Sequence, residues 1–107
     1  MEALKLKQAL VTEICDIKLE VEKNVLTIVA VGITVCDGWE KPNLVLRELD
    51  MNPMDGIYDF DFYGQGPEYH IGDAQEKVMA IYKWSNFPKD LNGVRIHADR
   101  NSILLML

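Results

Sequence analysis

Asp55, Asp59 and Asp61 are the densest run of like chemistry in the chain. On an extended strand, Asp59 and Asp61 stand about 6.7 Å apart on one face, within reach of a shared hard cation. A calcium loop gathers its oxygens into a single turn instead, and the solvent face of a strand accounts for these acids equally well. The same spacing would suit the acid and nucleophile of a glycoside hydrolase, but no apolar neighbour stands ready to raise one carboxyl. His70 and His97, with Cys15 and Cys36, are zinc-ligand types that lack the close pairing, C-x-x-C or H-x-x-x-H, by which zinc sites are recognised. Ser85 and Ser102 have neither the strained turn nor the adjacent base of an activated nucleophile. Gly64-Gln65-Gly66-Pro67 is not a phosphate loop, because Pro67 has no amide to donate and no helical pattern follows. No residue is assigned a catalytic role, no cofactor is expected, and the chain reads as non-enzymatic.

A binding surface has better support. If successive strands run antiparallel, alternate loops share one end of the molecule, which groups residues 37–42, 64–73 and 99–101. These carry Trp39, Tyr69, His70 and Arg100, and aromatic side chains with arginine are enriched where proteins bind partners. Against this stands a structural role for Trp39, folded back to plug the end of the core. The opposite end, with Pro53, Met54, Phe87 and Pro88, is the fallback surface.

The elements that must hold these residues alternate with period two. Residues 13–22 place Cys15, Ile17, Leu19 and Val21 on one face and Asp16, Lys18, Glu20 and Glu22 on the other, the pattern of a half-buried strand. Lys23-Asn24 is the turn, with Asn24 expected to take a positive φ. Residues 25–36 return as a strand rich in β-branched residues. A two-residue turn sets Glu22 against Val25, Ile17 against Ala30 and Cys15 against Gly32. Cys36 then lies about 13 Å beyond the partner of Cys15, whereas a disulfide needs Cα atoms within roughly 7 Å, so two free thiols are expected. The other face of residues 25–36 is also apolar, through Val25, Val29, Val31, Ile33 and Val35. Three covers are available for it: the segment 3–10, the run 103–107, or a second copy of the chain.

Further strands are expected at 43–49, 57–63, 77–84, 94–98 and 102–106, with breakers at 52–56, 64–67, 85–93 and 99–101. Tyr58, Phe60 and Phe62 should point inward, Val94, Ile96 and Ala98 likewise, and His97 outward. Residues 1–11 fit helix and strand equally, since Ala3, Leu6 and Leu10 have helical spacing while Leu4 and Leu6 alternate with lysines. The reading is one all-β domain over 1–107, an antiparallel two-sheet β-sandwich of about seven strands, because a parallel sheet would need crossover helices. A small barrel is its nearest rival. An immunoglobulin-like architecture is compatible with this, but no cysteine follows residue 36 to complete the cysteine–tryptophan–cysteine arrangement of that family.

With 107 residues, 49% hydrophobic and 26% charged, the chain has enough apolar material for one core. Its net charge of −6 disfavours nucleic acid and anionic membrane surfaces as partners. Residues 1–7 lack the pattern of a secretion signal, and the longest apolar run is short of the ~20 residues that span a bilayer, so a cytoplasmic location is expected. The functional expectation is a protein-interaction or structural module, for which an apolar strand face invites self-association. The alternative is a small-molecule or carbohydrate binder using the loop aromatics, and a metal-assisted hydrolase ranks last.

Overall fold

The computed structural model describes residues 6–67 and 74–107. They form eight strands: β1 (Leu6–Leu10), β2 (Glu13–Glu22), β3 (Val25–Thr34), β4 (Glu40–Leu46), β5 (Ile57–Pro67), β6 (Glu76–Ser85), β7 (Gly93–His97) and β8 (Ser102–Met106). Two sheets pack face to face. One is three-stranded and antiparallel, in the order β2-β3-β6. The other is centred on β5, with β4 along one edge, β1 and β7 sharing the other edge end to end, and β8 outside β7. The ambiguous N-terminal stretch is a strand from Leu6 onward, because its backbone completes the ladder of β5 from Tyr63 to Pro67.

The core follows from the alternation. Phe60 and Phe62 are fully buried and Tyr58 nearly so, against Leu26, Ile28 and Ala30 of β3 and Val94 and Ile96 of β7. Edge-to-face contacts tie the layers together, with ring centroids 5.5 Å apart for Tyr58–Trp84, 5.4 Å for Phe60–Trp84 and 5.1 Å for Phe60–Tyr82. Such pairs contribute about 0.5–1.5 kcal/mol each beyond the area they bury.

Four expectations are corrected. The pairing is not antiparallel throughout, since β5 and β7 run parallel. The chain makes that crossover through β6, a strand of the opposite sheet, which does the work a helix does in an α/β fold. Cys15 does not face the core: the register shifts between Ile14 and Asp16, leaving Cys15 as the extra residue of a β-bulge, exposed, while Ile14 takes the place opposite Gly32. The positive φ of the β2–β3 turn falls on Lys23, at 56°, rather than on Asn24. Gly64-Gln65-Gly66-Pro67 is not a breaker but the end of β5. Its glycines leave room for the Trp39 indole, whose ring atoms would stand 2.9 Å from a Cβ on Gly64 and 2.7 Å from one on Gly66.

Candidate functional site

The two expected binding residues within the described chain do meet. Trp39 and Arg100 line one open cleft with Leu10, Thr12, Val35 and Asp99. Arg100 is held there by its backbone N–H, which donates to the Thr12 carbonyl at 2.9 Å, while its guanidinium reaches only to 3.9 Å from Glu13. The indole of Trp39 is largely spent on β5, and its Nε1 is buried with no acceptor among the described residues. Trp39 thus plugs the end of the sandwich. Tyr69 and His70 lie outside the described residues.

The aspartates are engaged separately. Asp55 Oδ1 accepts the Ile57 N–H at 3.0 Å, closing the turn before β5. Asp61 is clamped by Arg47, whose Nη2 stands 2.8 Å from Oδ1 and whose Nε lies 3.1 Å from Oδ2. That hydrogen bond raises the Arg47 pKa against the opposing effect of burial. Asp59 Oδ1 takes His97 Nε2 at 2.7 Å and Arg95 Nη1 at 3.2 Å. A carboxylate only accepts, so His97 donates from Nε2. Partial burial pushes the Asp59 pKa up, but the bond from His97 and the charges of His97 and Arg95 outweigh it and hold the carboxyl below its ordinary value. Among the described residues no group of three or more His, Cys, Asp or Glu side chains converges on a common point. His97 does face outward, as its position on the strand requires, and it does so onto an open sheet face. The pairing of these acids with Arg47, Arg95 and His97 was not visible in the sequence, since it joins β5 to β7 and to the residue that follows β4 across 14 to 38 residues of chain.

A third surface lies on the other sheet. The outer face of the β2-β3-β6 sheet carries Val25, Val29, Val31 and Ile33 down its centre, with Met79 and Ile81 beside them on β6. Met79 and Ile81 are more than half exposed, at 54% and 55%. Two of the three expected covers are elsewhere: Leu6–Leu10 pairs with β5 and Ser102–Met106 with β7, both in the other sheet. Residues 3–5 lie outside the described chain. The stripe has charged margins, with Glu13, Asp16, Lys18, Glu20 and Glu22 along β2 and Lys77 and Lys83 along β6. At the hairpin end it sinks into a depression lined by Glu22, Val25, Thr27, Lys83 and Ser85. Met79 and Ile81 alternate along β6 with the buried Val78 and Ala80, but only the sheet order brings them against Val29 and Val31.

Comparison of the chain with protein-family models, curated proteins and solved structures finds no match. Among the described residues no helix is long and apolar enough to cross a membrane.

Proposed function

We propose that this β-sandwich is a non-catalytic interaction module whose working surface is the outer face of the β2-β3-β6 sheet. One observation carries the reading: Val29, Val31, Met79 and Ile81 form a contiguous apolar patch in the middle of a sheet face, bordered by charge. Single exposed apolar side chains are ordinary, whereas a contiguous patch with a polar margin is what interfaces present. The sandwich already has a full core without these residues, so their burial is available for a partner. The Trp39–Arg100 cleft supports ligand binding less well, because the indole is used to pack β5. The His97–Asp59 pair supports hydrolysis less well, because Arg95 shares its carboxylate and the face around it is open.

A photo-crosslinking residue at position 79, in cells that make the protein, is expected to give discrete adducts. The same residue at position 54, on a fully exposed loop methionine, should give none of them. Equal labelling from both positions, or none from position 79, would overturn the reading.

A further inference from the structure

We infer that the occupant of this face is a second copy of the chain, docked about a two-fold axis that runs along β3; this rests on the interaction reading above. The inference comes from the distribution of charge across the sheet. Along β2 the outward side chains include four acids, Glu13, Asp16, Glu20 and Glu22, against one base, Lys18. Along β6 the outward charges are Lys77 and Lys83. The face is therefore acidic on one margin, basic on the other and apolar between.

Two copies placed face to face can be related by a two-fold axis in the plane of contact, and its direction decides the electrostatics. An axis across the strands lays β2 over β2, acid on acid. An axis along β3 exchanges the margins, so that the β2 of each copy lies over the β6 of the other. The ladder register then sets which groups meet. Glu20 and Lys83 both pair with Thr27, and Glu13 and Lys77 both pair with Ile33. Each glutamate consequently lies over the corresponding lysine of the second copy, and symmetry repeats both pairs. Lys18 and Ile81 both pair with Val29, which lays the aliphatic stem of Lys18 over Ile81. The centre of the contact is β3 on β3, Val29 and Val31 against themselves, as in an isologous interface.

Size sets the strength. Three strands about 4.8 Å apart and ten residues long cover roughly 14 by 33 Å of each copy, or on the order of 900 Å² in total, at the low end of specific interfaces. The dimer is a reversible one. The net charge of −6 opposes association at long range, but at physiological salt that repulsion is screened beyond about 8 Å, while the facing pairs act at contact.

Sedimentation equilibrium on the full chain, with its concentration carried to the millimolar range, tests this through charge reversal. One variant is Glu13→Lys with Glu20→Lys, the other Lys77→Glu with Lys83→Glu, and circular dichroism checks that each keeps its β spectrum and melting cooperativity. The wild type is expected to dimerise. Each variant alone now sets like charge over like charge and should associate about tenfold more weakly or less. An equimolar mixture of the two restores opposite charge on both margins and should form a heterodimer. A monomeric wild type, a variant that dimerises as well as the wild type, or a mixture no tighter than its components would overturn the inference. Adducts from position 79 to a different protein, with a monomeric wild type, would overturn the second copy and leave the interaction module standing; no adducts at all would remove both.

Discussion

Trp39 and the two glycines beneath it show how a single side chain can set the course of a strand. The Gly-x-Gly spacing puts both missing Cβ atoms on the side of β5 where the indole lies, and the ring fills that space. Gly66→Ala would place a methyl group 2.7 Å from the ring, and overpacking of this kind costs about 1–3 kcal/mol. Equilibrium denaturation should show that loss, and in a Trp39→Ala background the same alanine should cost little, since the atoms it meets are gone. Asp59 has its own signature in pH. Its native pKa lies below the ordinary carboxylate value, so its contribution is complete above the unfolded value near 3.9 and is lost as pH falls through the native one. Asp59→Asn is accordingly expected to lower stability by about 1 kcal/mol near pH 6. Wild type and variant should converge as thermal melts are carried to pH values below the native Asp59 pKa.

Between elements, the bulge in β2 and the β7–β8 turn act as one unit. Ile14 N–H donates to Asn101 Oδ1 at 2.8 Å and Asn101 Nδ2 donates to the Ile14 carbonyl at 2.9 Å, a two-way bond across 87 residues that joins the two sheets at their edge. The Asn101 amide thus pairs with β2 much as a neighbouring strand would. Asn101→Ala strands a donor and an acceptor that are partly buried and should cost about 1–3 kcal/mol. Amide hydrogen exchange should show the loss concentrated at Ile14 and at the β7–β8 turn. Residues 99–101 were legible as a turn from their composition, but their partnership with Ile14 was not. Neither segment carries any mark of the other, and the bulge that presents Ile14 is a departure from the alternation that sequence reading relies on.

At the scale of the whole molecule, the pairings that define the fold are distant in sequence: β1 with β5, β5 with β7 and β2 beside β8. Long loops must close before these contacts form, so folding is expected in the millisecond-to-second range rather than in microseconds, as stopped-flow tryptophan fluorescence would show. What the chain determined by itself is the side of the alternating strands that is oily, at Ile17 and Leu19, from Tyr58 to Phe62 and from Val94 to Ala98, because the pleat turns successive side chains to opposite faces wherever the backbone is extended. The β2–β3 register was likewise local, set by two turn residues as far as Ile17. Only the tertiary structure decided that β7 lies parallel to β5, that Gly64 and Gly66 continue a strand, that Asp59 and Asp61 are ion-paired, and that the outer face of β3 is left open by β1 and β8. Each of these depends on which distant segment stands opposite, and periodicity within one strand holds no information about its neighbour.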